Sequence, residues 1–138
     1  MKNLYILSLF FCLFSFSLWS QNSDTKKADH YFEWFDYIDA IEAYEKLIQK
    51  GKGSAYVYKQ LATANYKTSH FEKAEQFYKR YLKSNRGAEA EAYFNYAQTL
   101  LINQEYDAFK ASMLDFAEKA PRDPRAIAFL ENPDYLSD

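Results

Sequence analysis

Two histidines, one cysteine and a run of carboxylates are the residues of this 138-residue chain that could do chemistry. Metal sites and nucleophilic centres need such residues at defined spacings. We interpret His30 as a helix–helix contact and His70 as a solvated turn residue, because neither lies at a metal-ligand spacing. Three glycines provide no phosphate-binding loop. The sequence therefore predicts no catalytic residue, no metal site and no cofactor, and so a protein that is not an enzyme.

The acidic run could be mistaken for a catalytic cluster, but its spacing places it on a helix. On that helix the carboxylates of Glu42 and Glu45 lie among solvated partners such as Lys46. We therefore assign a surface role to the run, which comprises Asp36, Asp39, Glu42 and Glu45.

Three stretches of the chain align with one another at a spacing of 34 and then 35 residues. A period of this length, with small residues where helices must touch, is typical of stacked helix-turn-helix arrays, which bind other proteins. The aligned sets are Ala28, Ala62 and Ala97; Tyr37, Phe71 and Tyr106; Tyr44, Tyr78 and Met113; and Leu47, Tyr81 and Phe116.

Residues 1–20 have the pattern of a secretory signal peptide, with Lys2 ahead of an apolar run that ends at Trp19. A membrane anchor is the alternative, but a bilayer-spanning helix needs about 20 apolar residues and this run is shorter. Phe10 and Phe11 stand where a lipidated Cys12 would need small residues. We predict cleavage after residue 20 and an exported chain without a membrane span after cleavage.

The remaining chain has a composition that favours a helical domain. Loss of Lys2 lowers the formal net charge from −2 to −3, which predicts no nucleic-acid partner. The only cysteine, Cys12, leaves with the signal peptide, so packing rather than disulfides must stabilise the fold. Three Gly, three Pro and 20% aromatic residues in the full sequence indicate an all-helical, ring-filled interior rather than disorder.

Caps and helix breakers divide the chain into helices and give the expected domain boundaries. We predict a helical repeat domain over residues 21–121 and a capping helix with the C-terminal tail over residues 122–138. The expected helices run from about Asp24 to Phe35, Tyr37 to Lys50, Ala55 to Thr68, Phe71 to Ser84, Ala90 to Asn103 and Tyr106 to Lys119, and a short one starts at Pro124.

The repeats resemble the tetratricopeptide repeat (TPR), a helix pair whose two helices cross at small residues twelve positions apart. The matching pairs are Ala28 with Ala40 and Ala62 with Ala74. The third repeat departs from the motif, since Phe109 stands twelve after Ala97. Either the alignment slips so that Ala108 makes the contact, or the last pair is splayed. The resemblance implies an all-α, TPR-like α-solenoid of three helix-turn-helix repeats plus a short C-terminal capping helix.

A narrower resemblance rests on the signal peptide, the aromatic-rich repeats and the ending Asn132-Pro133-Asp134-Tyr135-Leu136. These features are similar to the N-terminal TPR region of OmpA-family outer-membrane proteins linked to type IX secretion and gliding. The resemblance implies a periplasmic chain associated with the outer membrane, whose partner is an outer-membrane or secretion-machinery protein. The alternative is a structural spacer region of a larger peptidoglycan-anchored OmpA-type envelope protein.

In TPR proteins the concave surface, built mainly by the first helix of each pair, receives the partner. Aromatic rings there would supply buried area, and amide and ammonium donors would fix an extended backbone. Lys59, Lys67 and Asn95 are too few for a carboxylate clamp. We expect the aromatic stripe Tyr31, Phe35, Tyr44, Tyr78 and Tyr81 to be core. The predicted partner-binding residues are Phe32, Tyr56, Lys59, Thr63, Tyr66, Lys67, Phe94, Asn95 and Gln98.

Overall fold

The computed structural model describes residues 24–133, and its regular structure in that range is entirely helical. The predicted signal peptide and the last five residues lie outside the described residues. The helices are α1 (residues 24–33), α2 (Tyr37–Gln49), α3 (Ala55–Lys67), α4 (Phe71–Ser84), α5 (Ala90–Ile102), α6 (Tyr106–Lys119) and α7 (Pro124–Glu131). Helices α2 to α6 begin and end within about two residues of their predicted bounds, α1 ends within two residues of its predicted end, and α7 begins at Pro124 as predicted.

The chain divides into two compact units, the first ending at Lys52 and the second beginning at Gly53. The first unit contains α1 and α2, whose small residues Ala28 and Ala40 are buried. Tyr44 of α2 is fully buried, and its hydroxyl donates to the Asp29 carboxylate of α1. The hydroxyl therefore keeps a hydrogen-bond partner although its ring is removed from water.

The second unit contains two helix pairs and the short helix α7. Helix α3 packs on α4, α4 on α5, α5 on α6, and α6 on α7. Ala62 of α3 and Ala74 of α4 have no exposed surface, and they form one cluster with Tyr78. Methyl side chains at these positions let the two helix backbones approach closely enough for the surrounding rings to interlock.

The third repeat departs from the small-residue motif without slipping or splaying. Ala108 is exposed, so the predicted slip is wrong, and Phe109 is buried against Phe129 of α7 with ring centroids 6.0 Å apart. Ser112 makes the close contact instead, because its buried hydroxyl donates to the Tyr93 carbonyl of α5 at 2.9 Å. Helices α5 and α6 pack together as a pair.

The turns inside the three repeats share one backbone conformation. Phe35, Ser69 and Gln104 follow the first helix of each repeat, and all three have φ near +60°. The next amide donates to the carbonyl five residues earlier, as in the bonds from His70 to Asn65 and from Glu105 to Leu100. This pattern is the Schellman motif, in which a left-handed residue satisfies the last helical carbonyls.

One residue of the predicted aromatic core, Phe35 in the first turn, is exposed in the structure. Tyr44, Tyr78 and Tyr81 are buried as expected, whereas Phe35 is 76% exposed. The prediction for Phe35 was wrong because the residue occupies the left-handed turn position, where the chain has already left the helix.

No helix within the described residues has both the length and the apolar character needed to cross a lipid bilayer.

A glycine should suit the left-handed position better than the residue now in it. We expect Gln104→Gly to raise the free energy of unfolding by about 0.5–1 kcal/mol, because a side chain is strained at this φ. Gly51 has φ +73° and open space where a Cβ would stand. Gly51→Ala should therefore lower the free energy of unfolding by about 1 kcal/mol, because the strain comes from the backbone and not from a clash. Urea denaturation measures both changes, and a less stable Gln104→Gly variant would contradict this account.

The buried tyrosines should make stability fall at alkaline pH. Burial raises the pKa of Tyr78 to about 12, so this phenol stays protonated in the native state after it ionises in the unfolded chain near pH 10. The stabilisation is complete below pH 10 and is lost between pH 10 and 12, by up to about 2–3 kcal/mol. Urea denaturation across this range should show the decline, and Tyr78→Phe should reduce its slope. An equal slope in the unaltered chain and in Tyr78→Phe would show that the Tyr78 phenol does not cause the decline.

Candidate partner-binding surface

Helix α3 presents the largest group of predicted binding residues along one side. The Ser54 hydroxyl caps the helix by accepting the Val57 amide at 3.2 Å, which fixes where the helix begins. Val57, Leu61 and Ala64 are buried on the opposite side. Helical periodicity therefore leaves a second side at least partly open to solvent, and it carries Tyr56, Lys59, Thr63, Tyr66 and Lys67.

Tyr56, Tyr66 and Thr63 on this side of α3 differ in exposure and in the contacts they already make. Tyr56 is 46% exposed and its hydroxyl accepts a hydrogen bond from Gln60. Tyr66 is half-buried and packs edge-on against Phe71 with ring centroids 5.6 Å apart. The Thr63 side chain is hydrogen-bonded to the buried Tyr78 hydroxyl. Thr63 thus has a core contact, while Tyr56 and Tyr66 offer ring surface.

An ion pair joins α3 to the start of α5. Lys59 contacts the carboxylate of Glu89, the residue that precedes α5, and the buried Tyr81 hydroxyl donates to the same carboxylate at 2.6 Å. Partial burial raises the pKa of Glu89, but the hydrogen bonds from Lys59 and Tyr81 outweigh it, and the pKa lies below its usual value. The Lys59 ammonium is therefore neutralised within the unit.

Helix α5 continues the surface with residues three and four positions apart. Glu91, Phe94, Asn95 and Gln98 share one side of α5, opposite the buried Leu100. Within the described residues, the side chains of Asn95, Gln98 and Lys67 make no hydrogen bond. Their donors remain available to another molecule.

Arg125 of α7 covers the part of α5 that carries Phe94. Its guanidinium lies 4.1 Å from the Phe94 ring centroid and 5.1 Å from that of Phe116. It donates bidentate hydrogen bonds to the Glu91 carboxylate, at 3.1 and 2.8 Å, and it also donates to Asp123. These hydrogen bonds raise the pKa of Arg125 above its usual value and lower that of Asp123. Phe94 is accordingly half-buried beneath a cation.

Sequence reasoning did not find Arg125 or Glu89. Arg125 contacts a residue 34 positions earlier, and Lys59 pairs with a residue 30 positions later, so no local spacing marks either contact. The only sequence signal was that charged residues stand beside helix starts, at Glu89 and after Pro124.

Eight of the nine predicted residues lie on α3 and α5, in the second unit. Phe32 belongs to the first unit, where its ring packs edge-on against Tyr37 and Tyr44. Binding by any of the nine remains a prediction.

Both histidines of the described residues are exposed. His30 is exposed and its ring lies 5.8 Å from that of Trp34, so the interpretation of His30 as a helix–helix contact was wrong. His70 is exposed and hydrogen-bonds to Thr68. Residues 24–133 contain no group of three or more His, Cys, Asp or Glu residues that could hold a metal ion.

Two solved structures with a similar arrangement of helices are TPR proteins. The chain is similar to the first TPR of Spaghetti (RPAP3) bound to the HSP90 peptide SRMEEVD, at 20% identity and a TM-score of 0.70, over 86% of this chain and 94% of that one. It is also similar to the C-terminal part of a TPR repeat-containing protein from Cytophaga hutchinsonii, at 18% identity and a TM-score of 0.67, over 83% of this chain.

The chain spans 46% of the Cytophaga structure. No protein-family model and no curated protein matches the sequence. The structural likeness nevertheless defines the class of fold. The all-α, TPR-like α-solenoid of three helix-turn-helix repeats with a short capping helix is confirmed.

Arg125 should hold α7 in place through stacking and its paired hydrogen bonds. We expect Arg125→Ala to lower the free energy of unfolding by about 1 kcal/mol, because the guanidinium no longer covers the Phe94 and Phe116 rings. Amide hydrogen exchange in α7 should accelerate at the same time. Arg122→Ala is the matched control, an exposed arginine just before α7. Equal effects of the two substitutions would rule out a specific role for Arg125.

Proposed function

We propose that this chain is a non-catalytic protein-interaction module that holds an extended segment of a partner protein along α3 and α5. The observation that carries the proposal is the combination of unpaired donors on Lys67, Asn95 and Gln98 with the adjoining rings of Tyr56 and Tyr66. Rings supply apolar contact area at low entropic cost, and amide donors satisfy the backbone of an extended peptide.

The TPR of RPAP3 supports this choice because it has the same fold and is bound to the peptide SRMEEVD. The charges of this chain favour a different kind of segment. Lys59 is neutralised by Glu89, and Arg125 by Glu91 and Asp123, which leaves Lys67 as the cation of this surface without an ion pair among the described residues. A neutral segment with apolar side chains and free backbone groups therefore fits better than an acidic one.

We further propose that the module acts outside the inner membrane, in the periplasm at the outer membrane, on an outer-membrane or secretion-associated protein. This part rests on the signal-peptide pattern of residues 1–20 and on the resemblance to the TPR region of OmpA-family proteins. The competing possibility is a spacer in a larger peptidoglycan-anchored assembly, which would need no free binding surface.

Site-specific crosslinking in intact cells tests the proposal. A photoreactive benzoylphenylalanine at position 98 should form an adduct with a partner, whereas the same residue at the exposed Glu118 of α6 should not. Adding Lys67→Ala and Asn95→Ala should reduce the adduct about tenfold, because losing two hydrogen bonds costs about 1–3 kcal/mol. Mass spectrometry identifies the partner.

The controls separate binding from folding and from location. Circular dichroism of the variants should match that of the unaltered chain, since both substituted side chains are at least partly exposed. A chain that begins at Gln21 in the periplasmic fraction would support export. Equal adducts from positions 98 and 118, or none from either, would refute the proposed surface and favour a spacer.

A further inference from the structure

The turn between α1 and α2 holds three large apolar side chains in solvent. Trp34, Phe35 and Ile38 are 73%, 76% and 61% exposed, the highest values among the large hydrophobic residues of the described chain. We call these three residues the apolar turn. Single exposed apolar residues are ordinary, but adjoining ones mark interaction sites.

The fold does not require apolar residues at these positions. The repeat spacing of 34 and 35 residues aligns each of them with polar residues in the other two turns. Trp34 corresponds to Thr68 and Asn103, Phe35 to Ser69 and Gln104, and Ile38 to Glu72 and Asp107. The backbone of the turn is the same in all three repeats. The apolar character is therefore specific to the first turn and not part of the shared architecture.

The apolar turn is also held in a defined conformation. The Phe35 amide donates to Phe32 and the Asp36 amide to Tyr31, which closes the turn. The Trp34 ring contacts His30, and the Phe35 ring lies edge-on to Tyr37 with centroids 6.2 Å apart. Rings that are already positioned lose little entropy when a partner binds.

Three exposed carboxylates accompany the apolar turn. Glu33, Asp36 and Asp39 occupy positions that carry Lys67, His70 and Lys73 in the second repeat, so the sign of the charge is reversed at two of the three positions. Asp36 precedes α2 without making a side-chain cap. The charge of Asp36 raises the pKa of Asp39, and Lys27 offsets this only in part. A cationic partner would relieve this repulsion.

We infer that the apolar turn and its carboxylates Glu33, Asp36 and Asp39 form a second binding surface, for a protein segment with apolar anchors flanked by Lys or Arg. The apolar side chains would enter the partner's interface while the carboxylates pair with its cations. This surface lies wholly within the first unit and does not depend on the surface of α3 and α5.

The charges make two other occupants less suitable. A second copy docked symmetrically through the same turn would bring like carboxylates together, because a two-fold contact places the same patch on both sides. An anionic lipid surface would repel the same carboxylates. A basic protein segment meets neither objection.

Binding of a synthetic amphipathic peptide made of Leu and Lys tests the inference, with the full chain as receptor. The anisotropy of the fluorescently labelled peptide should rise on binding, and the affinity should fall with added salt. The same peptide pattern made of Leu and Glu should not bind. Equal binding of both peptides would overturn the inference, since the carboxylates would then play no part.

Substitutions that introduce the aligned residues of the second repeat test where the peptide binds. They should preserve the backbone conformation of the turn, which the second repeat shares. The combined change Trp34→Thr, Phe35→Ser and Ile38→Glu should weaken binding of the Leu/Lys peptide about tenfold or more. The change Glu33→Lys, Asp36→His and Asp39→Lys should do the same, and affinity should then no longer fall with added salt, because like charges now face each other. Leu114→Ser removes an apolar side chain of α6 that is 54% exposed, and it should leave binding unchanged.

Two results would overturn the inference. One is undiminished peptide binding by the first combined variant while its helical circular dichroism matches that of the unaltered chain. The other is a dimer in sedimentation that this variant converts to monomer, because a second copy would then be the occupant.

Discussion

Close approach of paired helices at small residues is the constraint on which the rest of the structure depends. Ala62 and Ala74 have no exposed surface, and the larger Tyr78 closes around them. A bigger side chain at either position would separate the two backbones and open the ring contacts that surround them. Where the third repeat lacks the second alanine, Ser112 provides the close contact and adds a hydrogen bond to a backbone carbonyl.

The repeated backbone allows the surfaces of the repeats to diverge. All three turns keep the left-handed residue and its hydrogen bonds, so the conformation tolerates Phe35, Ser69 or Gln104 at the same place. The first turn is apolar and acidic, while the second is polar and basic. A fold stabilised by nearest-neighbour packing leaves such exposed positions free to acquire different partners.

Internal contacts decide how much of the predicted binding surface is available. Lys59 and Arg125 are cations in the sequence, but Glu89 and Glu91 neutralise them, and Arg125 also covers Phe94. Sequence periodicity assigned the predicted residues to one side of α3 and of α5. It could not foresee these pairings, because each joins residues about 30 or more positions apart across a helix contact.

The sequence by itself determined the number, length and pairing of the helices, because caps, breakers and alanine spacing act over a few residues. It also determined that the third repeat would depart from the motif at Phe109. Only the tertiary structure decided that Phe109 packs against Phe129, that Phe35 is exposed, and that Arg125 lies over Phe94. These outcomes depend on where separate helices meet and on the direction in which a left-handed turn leaves its helix, and neither is encoded in local spacing.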